Sequence, residues 1–297
     1  ASTLSADMNN TDSVHTFYDD CGPNHIEVLP PDVNRSDFKF TPINKQQILY
    51  GLGAVKGTGL AAIEVIMQAR ESGGPFKDLF DFCNRLDLRK VNRRVVESLI
   101  RAGAFDSLSP DPAQPNRNAL LAGVATAMAA AEQNSANRQQ NSLFGEAADN
   151  AVNVLPNVPE WSEQHRLLEE KAALGFYFSG HPYAAYQKDL GQFISSSLAN
   201  LSPKEQPQML AGIVSGIRVR MTGRGKMAIV GLDDGTTRIE VVVGSELLTQ
   251  HAALIKEDQL LVIEGKVSND DFSGGIRVSA RKLFDLPSAR SAYASML

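Results

Sequence analysis

The chain has 297 residues, is 43% hydrophobic and 21% charged, and carries a formal net charge of −5. That length suits two or three domains, and the composition is that of a globular protein, not of a fibrous or disordered one. Its apolar runs fall short of the ~20 residues a membrane helix needs, and ASTLSADMNN lacks a basic-then-apolar leader pattern, so a cytoplasmic location is expected. Cys21 and Cys83 have no Cys or His at ligand spacing, which predicts buried free thiols and neither a disulfide framework nor a zinc site. The charge is unevenly placed: residues 50–105 are net positive and lie between the acidic stretches 1–49 and 106–207.

Residues 1–48 are short-patterned, with LPPD at 29–32 breaking any helix there. No complete core can be drawn from them, so the chain is expected to be a piece of a larger protein. From 50 to 108 the pattern is helical with glycine-punctuated turns. Leu60, Ile63, Ile66, Met67 and Arg70 predict one helix, Asp78 to Leu86 a second, and Asn92 to Gly103 a third that opens on a good N-cap. A Pro-rich connector leads to an Ala-rich helix with Leu120, Leu121, Val124 and Met128 on one face. Apolar periodicity stops after Glu132 and returns at Trp161, predicting a flexible Asn/Gln/Ala/Pro loop between them. Trp161 to Leu174 reads as a helix closed by Gly175, followed by a short one at 183–190. From 208 the period becomes 2: five Val- and Ile-rich strands, with a helix between the third and fourth, predict an OB-fold. The fold class is therefore multidomain α+β: a helical helix-hairpin-helix region followed by a five-stranded OB-fold β-barrel.

GLGAVKGTGLAAIEVI, residues 51–66, is neither a Walker A loop nor GxGxxG, since Lys56 stands where the third glycine would be. VKGTGLAAI fits a helix-hairpin-helix turn, in which Gly57 and Gly59 allow positive φ and close approach of N–H groups to a phosphate. Lys56 and the helix N-terminus add favourable charge, with Thr58 between the glycines. The plainer reading is a tight turn between packed helices. RLDLRKVNRR, residues 85–94, places Arg85, Arg89, Lys90, Arg93 and Arg94 against Asp87 alone. Such a run is usually a solvated face, but beside the glycine turn it predicts a second contact with DNA backbone. In the barrel, Arg218, Arg220, Arg224 and Lys226 surround the first loop, and Phe272 in NDDFSGG offers stacking in the fourth. Asp270 and Asp271 oppose that, and a protein-binding or purely structural barrel stays open. His165 and His181 lack catalytic neighbours in sequence, and no paired-carboxylate metal site is read. QNSLF, Gln140 to Phe144, sets Leu143 and Phe144 in a polar run, as a peptide for a partner's apolar pocket or a pair tucked against its own helices.

SADMNNTDSV, LPPDVNRS, YGLGAVKGTG, NRRVVESLIRAGAFD, EEKAALGFYFSGHP and the DDFSGG turn together resemble the C-terminal half of the bacterial replicative DNA polymerase III alpha subunits, along nearly the whole chain. The resemblance implies residues 1–48 as the tail of a fingers domain and 49–108 as tandem hairpins holding template-primer duplex. It further implies 109–206 as a helical region with a clamp-binding loop, 207–286 as an OB-fold near single-stranded template, and 287–297 as the start of a further domain. By the same resemblance Gln140, Asn141, Ser142, Leu143 and Phe144 bind the sliding clamp, with Asn141 in place of the usual Leu. Other replicase subunits are implied partners. The palm carboxylates and their Mg2+ would lie upstream, so this chain is expected to hold no cofactor and not to polymerise by itself. The competing reading is a stand-alone hairpin and OB module of a helicase or synthetase.

Overall fold

The computed structural model describes residues 1–109, 111, 115–141, 154–194, 196–223, 225–269 and 275–294, with backbone only at 138–141. The chain divides into two compact units, Ala1–Ser179 and Gly180–Leu297.

The first unit opens with α1 (Ser2–Ala6) and α2 (Thr11–Cys21), the latter capped by Asn10, whose Oδ1 accepts from the N–H groups of Asp12 and Ser13. Three short strands follow: β1 (Glu27–Leu29), β2 (Thr41–Pro42) and β3 (Gln47–Leu49), with β3 central, parallel to β1 and antiparallel to β2. Then come α3 (Leu60–Gly73), α4 (Leu79–Arg85), α5 (Arg93–Arg101), α6 (Arg117–Asn141) and α7 (Glu163–Leu174). Asp78, Asn92 and Ser162 cap α4, α5 and α7 as N-cap side chains should, satisfying N–H groups that a helix leaves open.

One core runs through all of this. Leu4, Val14, Val33 and Phe40 from the first 48 residues are buried with Ile63, Phe82, Leu99, Val124 and Leu174. The segment thought unable to form a core therefore shares that of the helices. Leu60 departs from its expected place on the apolar side of α3: it is 51% exposed, and Ala62, Ile63 and Ile66 are buried instead. The helix expected to stop after Glu132 continues to Asn141. Its polar last turns lack apolar periodicity, but Ala, Gln and Arg have favourable helix propensity.

A buried ionic knot ties the unit together. Arg117 donates through Nε to Asp106 Oδ1 at 2.8 Å and through Nη2 to Asp106 Oδ2 at 2.6 Å, and its Nη1 reaches Glu170 Oε1 at 2.8 Å. Gly103, at φ +85°, lies under the guanidinium, and a Cβ there would meet Arg117 Nη2 at 2.5 Å. Gly103→Ala should thus meet both backbone strain and a clash, and lose about 1–3 kcal/mol in urea unfolding; an unchanged midpoint would refute this.

The second unit begins with a one-turn segment, Pro182–Tyr186, and α8 (Gln187–Leu190). The barrel follows as β4 (Gln208–Thr222), β5 (Gly225–Asp233), β6 (Arg238–Val243), α9 (Ser245–His251), β7 (Leu260–Asn269) and β8 (Ile276–Phe284). It closes in the order β4-β5-β6-β8-β7, around Leu210, Val214, Val230, Val241, Leu261 and Val278. Alternating burial along β5 is the period the sequence showed. The last helix, α10 (Leu286–Ala294), buries Ala289 with Ala211 and Val262, so the segment after 286 packs with the barrel strands.

His181, read from sequence as having no carboxylate neighbour, has Nε2 at 3.3 Å from Asp233 Oδ1. Its Nδ1 accepts from the N–H of Tyr183, and Arg238 Nε donates to Asp233 Oδ2 at 2.6 Å. His165 also meets a carboxylate, Glu169, at 3.6 Å. His181 Nδ1 accepts from Tyr183 and Asp233 is shared with Arg238, so the group orders the turns on either side of it. Burial is the largest single influence on Asp233 and raises its pKa. Hydrogen bonds from His181, Arg238 and the Gly235 N–H together outweigh it and hold the carboxyl below its ordinary range. A depressed carboxyl contributes stability above the unfolded pKa of about 3.9 and loses it as pH falls below. The urea midpoint of the barrel unit should therefore drop below about pH 4, and Asp233→Asn should flatten that drop; equal slopes would sink the assignment.

Candidate nucleic-acid interface

The glycine turn is built as a rigid loop. Gly57 takes φ +83°, a region open to glycine. Thr58 Oγ1 lies 2.7 Å from the carbonyls of both Leu52 and Val55, and the Lys56 N–H donates to Ala173 O at 2.8 Å. Thr58 therefore shapes the loop, its hydroxyl proton taken by those carbonyls. Gly59 needs no positive φ either: as the N-cap of α3 it sits at φ −93°, with open space where a Cβ would be. That glycine leaves open space at the N-terminus of α3.

The second expected element converges on the first. A Cβ on Gly57 would lie 3.5 Å from Ser98 Oγ in α5. Ser98 is one helical turn beyond Arg94, so the loop and the start of α5 share a face. Neither α3 nor α5 has an acidic residue in its first turn, and α3 has no side-chain cap. Arg93 and Arg94 instead place positive charge at the positive end of the α5 dipole, an arrangement that an anion would relieve.

The basic run divides into outward and inward members. Arg85 points inward: Nη2 donates to the carbonyls of Ala69 and Gly74, Nη1 to Asp81, and the guanidinium lies 4.5 Å from the Phe76 ring centroid. It closes the C-terminus of α3 and is unavailable to DNA, a correction to its reading as part of the basic surface. Arg89 is exposed and paired through Nε and Nη2 with Asp87, and its side-chain hydrogen bond lowers the Asp87 pKa. Arg93 donates to Glu97 at 2.6 Å. Among the described residues, no ion pair engages Lys56, Lys90 or Arg94, and all three are exposed.

Glu97, which also faces Arg101 at 3.6 Å, was missed in the sequence although it stands at i+4 from Arg93. Ser98 carried no sequence signal, since its partner is about 40 residues away.

On the barrel, most of the expected first loop is strand. Pairing continues through Met221↔Lys226 and Thr222↔Gly225, so Arg218 and Arg220 lie in β4 and Lys226 in β5. Their alternation puts Arg218 and Arg220 on one side of the hairpin, with Val219 and Met221, 56% and 74% exposed, on the other. Arg218 pairs with Glu240. Arg224 and Phe272 lie outside the described residues, as do Asp270 and Asp271. So do Ser142, Leu143 and Phe144, while Gln140 and Asn141 are in the last turn of α6, not in an extended peptide.

Comparison with known proteins agrees with this division. Residues 25–115 match a helix-hairpin-helix motif and residues 209–286 an OB-fold nucleic acid binding domain. The DNA polymerase III subunit alpha of Neisseria meningitidis serogroup A is 46% identical over 300 residues, covering 100% of this chain and 26% of that protein. That of Vibrio cholerae is 42% identical over 302 residues, covering 99% and 26%. Among solved structures, the second OB-fold domain of replication protein A from Methanococcus maripaludis is 17% identical, covering 30% of this chain and 91% of that one, with a TM-score of 0.25. The chain thus spans about a quarter of the length of the curated relatives it matches. Along its whole length, this chain of helix-hairpin-helix and OB-fold segments is homologous to part of the DNA polymerase III subunit alpha.

Proposed function

We propose that the chain is the DNA-holding and clamp-tethering part of a replicative DNA-directed DNA polymerase, a nucleotidyltransferase of chromosomal DNA replication. The first unit grips template-primer duplex by its phosphates, through the Lys56–Gly59 loop, the open start of α3, and Lys90 and Arg94. The hairpin of β4 and β5 offers Lys226, on the same side as the apolar Val219 and Met221, to single-stranded template, with Arg220 on its other side. Gln140 to Phe144 tether the sliding clamp, and other replicase subunits complete the assembly in the cytoplasm. The chain holds no cofactor of its own, and the Mg2+ of nucleotidyl transfer belongs to a palm outside it. Nucleotide incorporation on a primed template by this chain would overturn that division of labour.

The observation that supports the duplex reading is the nearness of Gly57 to Ser98, which brings the glycine loop beside α5, the helix that carries Arg94. Backbone contacts of this kind position without reading sequence. Lys56→Ala with Arg94→Ala should weaken duplex binding alike for every sequence. Each residue removed should make the salt slope shallower by roughly 1. Arg93→Ala should do less, because Glu97 already neutralises that side chain. Fluorescence anisotropy across a salt series measures all three, and an unchanged slope in the double variant would remove the duplex reading.

A further inference from the structure

Helix α5 carries Arg93, Glu97 and Arg101 at intervals of four, so the three side chains lie along one side of it. Glu97 stands between two cations. Its Oε1 accepts from Arg93 Nε at 2.6 Å, and its Oε2 lies 3.6 Å from Arg101 Nη1. Arg101 has a second acid, since its Nε is 2.7 Å from Glu169 Oε2 in α7. The Arg93 side chain is 63% exposed, against 30% for Arg101 and 17% for Glu97.

The hold of Glu97 on Arg93 is weak for three reasons. An ion pair so open to water gains little and is screened by salt. Arg stands before Glu along the helix, the less favourable order at this spacing. Arg93 is also the first residue of α5, where its charge meets the positive end of the dipole. A phosphate oxygen arriving there offers Arg93 the same charge-assisted bond and is itself attracted by the helix N-terminus. Glu97 is not stranded when Arg93 leaves it, because Arg101 stays beside it.

We propose that Glu97 is an internal competitor for duplex phosphate: it occupies Arg93 while DNA is absent and yields it when a phosphate arrives, with Arg101 taking up the charge left behind. This rests on the duplex reading above and adds to it what limits the strength of the grip. A contact released and remade so readily suits a protein that follows a duplex by its backbone and not by its sequence.

The test is a double-mutant cycle on the full chain, read by fluorescence anisotropy of a labelled duplex across a salt series. Glu97→Gln should tighten binding about two- to fivefold at low salt, the range of an exposed ion pair. It should also steepen the salt slope, by roughly 1. Both effects should vanish in the Arg93→Ala background. Urea unfolding of each variant checks the fold. If Glu97→Gln melts early, Glu97→Asp, which keeps the charge and draws it back from Arg93, takes its place and should shift affinity the same way. An equal gain in both backgrounds would mean that only a repelling charge had been removed, and no gain in the native background would mean no competition. Either result overturns the proposal while native binding leaves the duplex reading standing, whereas a native chain that binds no duplex removes both.

Discussion

Arg117→Ala should destabilise the first unit by about 3–5 kcal/mol, the usual cost of removing one partner from a buried ionic network. The guanidinium side chain is 7% exposed, and it faces two acids, Asp106 at 23% and Glu170 at 1%. Truncation leaves both carboxylates without their counter-charge, together with the Arg101 carbonyl that accepts from Nη1 at 3.3 Å. Burial is the main influence on Asp106 and keeps its pKa raised even with Arg117 in place. In the variant the Asp106 carboxyl, already raised by burial, rises further. A carboxyl raised on folding favours the folded state at low pH and loses that benefit as pH climbs through its unfolded value. The deficit should thus be larger at pH 8 than at pH 4, and Glu170→Gln in the same background should recover part of it. Urea unfolding at both pH values decides the matter; a loss under about 1 kcal/mol would mean that the knot is not a stabilising centre.

Leu143→Ala with Phe144→Ala should abolish measurable binding to the bacterial sliding clamp. Each side chain, buried in a partner pocket, is worth about 1.5–3 kcal/mol, so the pair accounts for roughly 10²- to 10⁴-fold in affinity. The chain reaches this peptide through α6, whose last turn contains Gln140 and Asn141. Engagement of Gln140 as a polar anchor then requires that turn to unwind, a small demand because helix ends fray and carry few bonds. Titration calorimetry on the full chain beside the double variant is the measurement. Equal affinities would place any clamp contact elsewhere, and absence of binding in both would leave the helix-hairpin-helix and OB segments as a nucleic-acid module without a tether.

The elements that sequence made visible are those whose signals are local. Asp78, Asn92 and Ser162 announce helix starts because a cap acts within three residues, and Gly103 and Gly175 announce ends by the left-handed backbone they alone adopt readily. The barrel strands were legible because Val and Ile alternate along them with burial. What stayed hidden depends on distant partners. The β1–β3 pair joins residues about twenty apart and is only three residues long, too short for a period to show. Of the candidate site, the loop and the basic run were visible, but the inward turn of Arg85 was not. A helix-terminal arginine looks the same in sequence whether it meets water or the carbonyls of Ala69 and Gly74. Likewise nothing in the sequence marks Arg117 and Glu170, charged residues of a kind mostly exposed, as buried.

The division of β4 between two neighbours sets a timetable for making the barrel. Its first half, Gln208 to Ile213, pairs with β7, and the remainder pairs with β5, the register shifting between Val214 and Gly216 where the strand turns the corner. The β5 partner arrives within a few residues of synthesis, so the hairpin forms at once. The β7 partner, with Leu210 opposite Ile263, emerges only roughly 50 residues later. Until then Leu210 to Ile213 present an unmatched apolar strand edge to the crowded interior of the cell, open to pairing with any other nascent strand. Closure of this barrel is thus its slow and vulnerable step, and truncation before β7 should yield aggregate, not a smaller folded protein.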